Sequence, residues 1–262
     1  MRTEERQKYI LNTAKKDGFV SISRAAEYLS VSVETIRRDI NKLCDENQLK
    51  KAHGGAVPVK VPMRKDADYL LRLQSNQQEK TAIGAEAALL IRDGSVIAID
   101  CGVSIQAMAK SISGVRNVTF VTNAIPNATI LLDKIENGEI TGSVILIGGE
   151  LDANNRFSMG ADVIETLKRF HFDIAFVSCT ALSADGASLY TLSECAYSTQ
   201  MMAQSATSVL LAESVKFGKN SVCTFAKLTD FDRIITDSKN KIPLDIEKTI
   251  ENSNTKLVII NV

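Results

Sequence analysis

From Ser95 onward, short runs of β-branched and aliphatic residues alternate with helix-like stretches, and this alternation restricts the fold more than any other feature. The runs lie at 95–99, 118–121, 143–147, 173–177, 208–211, 221–225, 233–236 and 256–260; helical stretches occupy 104–112, 124–137, 160–169, 193–206 and 243–250. Runs that are apolar along nearly their whole length read as strands buried on both faces. The helices between them supply the crossovers that parallel neighbours require. The expectation is an α/β domain with a mostly parallel sheet covered on both sides. No internal repeat or low-complexity tract interrupts it.

With 262 residues, the chain is long enough for one small and one medium domain, each with its own core. The boundaries predicted are a domain over 1–57, a linker over 58–74 and a larger domain over 75–262. Two prolines, Pro58 and Pro62, mark the linker. No apolar run approaches the roughly 20 residues that span a bilayer. The N-terminal stretch does not resemble a secretion signal, so a cytoplasmic protein without a membrane partner is expected. Five scattered cysteines without a Cys-x-x-Cys pair fit reduced thiols. No cofactor or metal is expected. The zero net charge conceals an asymmetry: residues 1–60 hold 12 basic and 8 acidic side chains, whereas the remainder holds 19 and 23. Only the first segment suits a polyanion.

That first segment contains three helical patterns. Thr3 is placed to cap the first and Gly18 to end it. The second begins near Ser23, with Ala25, Ala26 and Leu29 inward. After a break at Ser30–Val31, Ser32 is the natural N-cap of the third, which runs to about Glu46. Along it Val33, Ile36, Ile40 and Leu43 make one apolar stripe. Arg38 points away from the stripe, Glu34, Thr35, Asn41 and Lys42 flank it, and Arg37 and Asp39 lie at the borders. Two helices joined by so short a turn form a helix-turn-helix. Ser32 and Thr35 then sit at a helix N-terminus suited to phosphate, and Arg37 and Arg38 offer forked donors for phosphates or guanine edges. The alternative is a helical hairpin whose arginines merely face solvent. The stretch 47–57 favours DNA: it reads as a two-stranded wing in which Lys50, Lys51 and His53 reach the backbone, with a turn at Gly54-Gly55 that permits close approach. For His53 a plain turn role is the other reading.

In parallel sheets ligands gather beyond the strand C-termini. Four predicted ends are polar or glycine-rich: Asp100-Cys101-Gly102-Val103-Ser104, Thr122-Asn123, Gly148-Gly149, and Glu213-Ser214-Val215-Lys216. Gly102 would let amides face an anion at the start of a helix, and Lys216 would pair with a phosphate or carboxylate. The effector-binding candidates are therefore Asp100, Gly102, Val103, Ser104, Thr122, Asn123, Gly148, Gly149 and Lys216. Taken singly, each has a plainer reading: Gly-Gly as a turn, Asn123 as a helix cap, Asp100 as a brace for its own loop, Cys101 as an inert small residue. Their placement at successive strand ends favours a shared pocket.

The residues Val31-Ser32-Val33-Glu34-Thr35-Ile36-Arg37-Arg38-Asp39-Ile40 and Lys51-Ala52-His53-Gly54-Gly55-Ala56 resemble the DeoR/GlpR-type family of bacterial transcription regulators. The resemblance continues through Glu79-Lys80, Asp93-Gly94-Ser95, Asp100-x-Gly102, Val121-Thr122-Asn123, Gly148-Gly149, Asp185-Gly186, Lys216-Phe217-Gly218 and Ile234-Ile235-Thr236-Asp237. It implies a winged helix-turn-helix reading the major groove, and a sensor domain resembling the ribose-5-phosphate isomerase/CoA-transferase-like fold. It further implies a double-stranded DNA operator, a small phosphorylated sugar-like effector, and a homo-oligomer. Repression relieved by the effector is the expected mode, with activation as the alternative. Three departures stand out. Lys51 replaces the wing's usual arginine; Val103 interrupts the usual Asp-x-Gly-Thr-Thr loop; Glu213 and Val215 replace Asp and Ser in Leu-x-Asp-x-Ser-Lys. The rival expectation is an active sugar-phosphate isomerase or deaminase with a DNA-binding head, drawing on Asp100, Asp185, Glu194, Glu213 and Lys216.

Overall fold

The computed structural model describes all residues except 1, 2, 18, 47, 53 and 59–68. The chain divides into two compact units, Met1–Met63 and Arg64–Val262.

The first unit comprises α1 (Thr3–Asp17), β1 (Val20–Ser21), α2 (Ile22–Tyr28), α3 (Val33–Asp45), β2 (Leu49–Ala52) and β3 (Gly55–Pro58). Its core gathers Ile10 and Ala14 from α1, Ala25 and Ala26 from α2, and Ile36, Ile40 and Leu43 from α3. The three helices expected from periodicity are present. The wing has a third, unpredicted strand: β1 pairs antiparallel with β3, which pairs with β2. Two residues are too short a run to betray a strand, and this one exists only because β3 offers it a partner. Gly55 makes that pairing possible, since a Cβ there would stand 2.0 Å from the Val20 carbonyl oxygen and 2.6 Å from the Phe19 ring.

In the second unit, α4 (Tyr69–Gln74) and α5 (Gln77–Ala88) precede a seven-stranded sheet. In chain order, with their helices, its strands are β4 (Val96–Ile99), α6 (Val103–Ser111), β5 (Val118–Thr122), α7 (Ile125–Glu136), β6 (Gly142–Leu146), β9 (Phe172–Ser178), β12 (Ser205–Leu211), β14 (Arg233–Asp237), α10 (Leu244–Glu251) and β15 (Lys256–Ile260). A hairpin of β7 (Glu150–Asp152) and β8 (Phe157–Met159) and then α8 (Ala161–Leu167) stand between β6 and β9. A small antiparallel sheet of β10 (Ala181–Ser183), β11 (Gly186–Leu189) and β13 (Cys223–Ala226) lies outside the main one, with α9 (Leu192–Ala203) following β11.

Every pairing in the main sheet is parallel, in the order β15-β14-β12-β9-β4-β5-β6. Period-two alternation assigns the strand residues to opposite faces. Ala98, Val121, Ala175, Val177 and Leu210 pack with α8, α9 and α10, while Ile97, Ile99, Phe120, Phe176 and Val209 pack with α5, α6 and α7. The run at 221–225, predicted as a strand, pairs instead with β11 in the small sheet. Residues 205 and 206, predicted as helix, open β12. The stretch 69–91, helical in composition with a break around Ser75-Asn76, forms α4 and α5, so the last residues counted with the linker are helix; Tyr69 of α4 is buried, its hydroxyl accepting from Gln106 Nε2 at 2.7 Å.

The chain enters the sheet at β4, builds outward to β6, then returns to β9 and builds the other way. The C-terminal ends of β4 and β9 therefore bound the switch point, where open α/β sheets bind ligands.

Candidate functional site

In the first unit, Ser32 caps α3. Its Oγ accepts from the Thr35 amide at 3.1 Å and lies 2.8 Å from Thr35 Oγ1. Arg37, Arg38 and Asn41 are exposed on α3, and Lys50 and Lys51 on β2. Arg37 Nη1 lies 3.8 Å from Glu34, and both side chains are solvated, so the contact holds the arginine loosely. Together these residues form a polar, cationic ridge that can donate to phosphates and base edges.

Two details differ from the periodicity. Asp39, expected at the border, is buried and accepts from Arg6 Nε of α1 at 2.7 Å. Val33, expected within the apolar stripe, is 44% exposed in the first turn. Gly54 adopts φ +74°, the left-handed conformation of the wing turn, and Gly55 packs closely against β1. His53 lies outside the described residues.

In the second unit the predicted effector residues separate into three groups. Asp100 and Asn123, just beyond β4 and β5, line one cavity of about 290 Å³. Ser104, Lys216 and the unpredicted Lys80 surround Glu213 instead. Ser104 Oγ donates to Glu213 Oε2 at 2.9 Å, Lys216 Nζ stands 2.7 Å from the same oxygen, and Lys80 Nζ lies 3.7 Å from Oε1. The others lie outside both groups. Thr122 Oγ1 accepts from the Ala124 amide, Val103 is buried in the first turn of α6, and a Cβ on Gly102 would meet Ser178 Oγ at 2.0 Å. Gly148 is exposed, and a Cβ on Gly149 would strike Val163 and the Met159 carbonyl.

Asp100 ties the switch point together. One carboxylate oxygen accepts from the Cys101 amide at 2.8 Å and the other from the Ser178 amide at 3.1 Å. Burial pushes its carboxyl upward, and these hydrogen bonds oppose the rise. The same burial pushes the Cys101 thiol well up. Burial also raises the Glu213 carboxyl, but Lys216, by charge and hydrogen bond, and Lys80 overcome it and leave the group at about 2. Glu213 is thus an anion held between two lysines.

The rest of the cavity was not foreseen. Phe157, Ser158 and Met159 of β8, Val163 and Ile164 of α8, and Leu192 and Tyr197 of α9 supply its walls. These residues come from elements with no strand-end motif, and only the fold assembles them. The β7–β8 turn also meets α4: the Arg156 guanidinium lies 5.4 Å from the Tyr69 ring centre, and Arg72 donates to Asn155 Oδ1.

Residues 6–60 match the DeoR-like helix-turn-helix domain, and residues 75–238 match the DeoR C-terminal sensor domain. The chain is 34% identical over 237 residues to the HTH-type transcriptional repressor GlcR of Bacillus subtilis, covering 90% of this chain and 89% of that protein. It is 28% identical over 262 residues to the glycerol-3-phosphate regulon repressor of Haemophilus influenzae, covering 100% and 98%. Among solved structures it is similar to ribose 5-phosphate isomerase A from Methanocaldococcus jannaschii, at 15% identity and a TM-score of 0.36, over 54% of this chain and 55% of that one. At that level nothing about activity follows. The two matched domains and the near-full-length likeness to known repressors place this chain in the DeoR family of transcription regulators.

Proposed function

We propose that the protein is a cytoplasmic transcription repressor. A homo-oligomer grips operator DNA through α3 and the β2–β3 wing, and lets go when a small phosphorylated, sugar-like metabolite binds in the second unit. The observation that carries the DNA-binding part is the ridge of Arg37, Arg38, Thr35 and Asn41 on a helix capped by Ser32, beside the lysines of the wing. A ridge this short reads one half-site, so pairing two copies supplies operator length.

The phosphate is assigned to the N-terminal end of α6. Lys80 and Lys216 converge there on Glu213, and both lysines feel the charge of Arg72. An incoming phosphate competes with Glu213 for these cations. Lys80 Nζ also donates to the carbonyls of Arg72 and Ser75 at the end of α4, the first described element after residues 59–68. Rearranging the lysines therefore loosens the foot of the connector, a physical route from effector to operator grip. Coupling of about 1–3 kcal/mol through such a route changes affinity roughly 5–150-fold.

Catalysis is the weaker reading because three of the four carboxylates it would draw on already have structural tasks. Asp100 braces the switch point, Glu213 is locked between lysines, and Glu194 closes a capping box with Thr191 at the start of α9. The test is operator binding by an Arg37→Ala/Arg38→Ala variant across a salt series. Specific binding is expected to vanish while the second unit stays folded, and wild-type affinity is expected to fall steeply with salt. Unchanged binding by the variant would refute the assigned helix.

A further inference from the structure

Two residues lining the cavity beyond β4 and β5 carry a buried polar atom that meets no side-chain hydrogen-bond partner among the described residues: Asn123 Oδ1 and Tyr197 Oη, the second close to the Asn123 backbone amide. Asn123 is 1% exposed and Tyr197 4%, so bulk water does not satisfy them. Buried polar atoms are normally hydrogen-bonded, and two such atoms on residues that line one cavity call for a shared partner. Asn123 Nδ2 is already spent on the Ser158 carbonyl at 2.8 Å, which fixes the amide so that Oδ1 is the free acceptor. A partner for both atoms must donate to an amide oxygen and accept from a phenol. An alcohol does both.

The remaining lining narrows the choice. Phe157, Met159, Val163, Ile164 and Leu192 give apolar walls, and among the described residues the ionisable ones lining the cavity are Asp100, Cys101, Glu194 and Tyr197, with neither lysine nor arginine. An anionic group is therefore disfavoured inside, while the C–H face of a sugar or polyol suits the walls. A volume of about 290 Å³ lies at the small end of ligand pockets, enough for a small metabolite and too little for a nucleotide.

We propose that this cavity holds the uncharged, hydroxyl-bearing body of the effector, one of whose hydroxyls donates to Asn123 Oδ1 and accepts from Tyr197 Oη. The proposal rests on the effector reading above and divides the ligand into two parts: the phosphate goes to Lys80 and Lys216, and the sugar body to Asn123 and Tyr197. Tyr197 is then a specificity residue, because a site built to hydrogen-bond a hydroxyl rejects an analogue that lacks it.

The test measures stabilisation of the full-length protein against heat by inorganic phosphate, by a panel of triose, pentose and hexose phosphates, and by the corresponding free sugars. Three proteins are compared: wild type, Tyr197→Phe, which keeps the ring and removes only the buried hydroxyl, and Ala196→Phe, which fills the cavity from an exposed position on α9. Without ligand, Tyr197→Phe is expected to melt no lower than wild type, since it buries one polar atom fewer. At least one sugar phosphate should stabilise wild type more than inorganic phosphate does. That advantage should fall roughly tenfold in apparent affinity in Tyr197→Phe and disappear in Ala196→Phe, with the response to inorganic phosphate unchanged in both. A sugar phosphate that binds all three proteins equally would overturn the cavity assignment and leave the effector reading standing. A free sugar that binds as tightly as its phosphate would support the cavity and sink the phosphate assignment. No response to any probe would overturn both.

Discussion

Glu213 offers the sharpest quantitative check on how the second unit is held together. Its carboxylate is buried between Lys216 at 2.7 Å and Lys80 at 3.7 Å and accepts from Ser104. Replacing it in Glu213→Gln keeps the shape and removes the charge that both lysines face. In the native state the carboxyl sits at about 2 against an ordinary value of 4.5, which corresponds to about 3 kcal/mol of stability at neutral pH. That figure agrees with the roughly 3–5 kcal/mol lost when one partner of a buried ion pair is removed.

The sign follows from linkage. A native carboxyl held below its unfolded value stabilises the fold above that unfolded value, and the stabilisation is lost as pH falls from about 4.5 towards about 2. Asp100 runs the other way, because burial raises its carboxyl and its effect favours the fold at low pH. It is common to both proteins, so the difference between wild type and Glu213→Gln isolates Glu213. Urea unfolding followed by far-ultraviolet circular dichroism should give a gap of about 3 kcal/mol at pH 7, with roughly a third to a half of it gone by pH 3.5. A gap that stays constant from neutral to acid would show that Glu213 acts through packing, and the charge argument would fail.

Two further outcomes are expected. Gly55→Ala forces a Cβ against the Val20 carbonyl and should destabilise the first unit by about 1–3 kcal/mol, read as faster amide exchange in α1–α3 with the second unit unchanged; equal protection would mean that β1 is not held as described. Burial pushes the Cys179 thiol up to about 12, so at pH 8 it should label with iodoacetamide roughly a thousandfold more slowly than a free thiol, and ordinary reactivity by mass spectrometry would contradict its burial.

The main-sheet strands and the three N-terminal helices were legible because burial on a repeating face leaves a mark at every second or third residue. What escaped was whatever depends on a distant partner. Nothing local distinguishes a bordering Asp39 from one paired to Arg6, 33 residues earlier. The run at 221–225 has the composition of a sheet strand, yet β11 claims it before the parallel sheet does. The same holds for the pocket. Asp100 and Asn123 were readable because strand ends are marked by a change from apolar to polar. Tyr197 sits mid-helix on α9 among core residues, where an aromatic side chain reads as packing, and its significance lies in a buried hydroxyl with no side-chain partner among the described residues.

The departures at Val103 and Glu213 gain a physical meaning from this arrangement. Val103 is buried in the first turn of α6 and is not among the residues that line the cavity, so the hydroxyl it lacks is not missed there. Glu213 is longer by one methylene than the aspartate at that place in the family pattern, and its two oxygens face Lys80 and Lys216 separately. A shorter carboxylate at the same backbone position could not bridge both lysines without moving one of them. Because Lys80 also holds the end of α4, the extra reach ties the anion site to α4. Glu213→Asp should therefore weaken that tie and bring the protein nearer to its released state. Operator affinity without any metabolite should drop, and a sugar phosphate should have less left to change. An operator affinity equal to wild type, with a full response to the metabolite, would place the route of communication elsewhere in the domain.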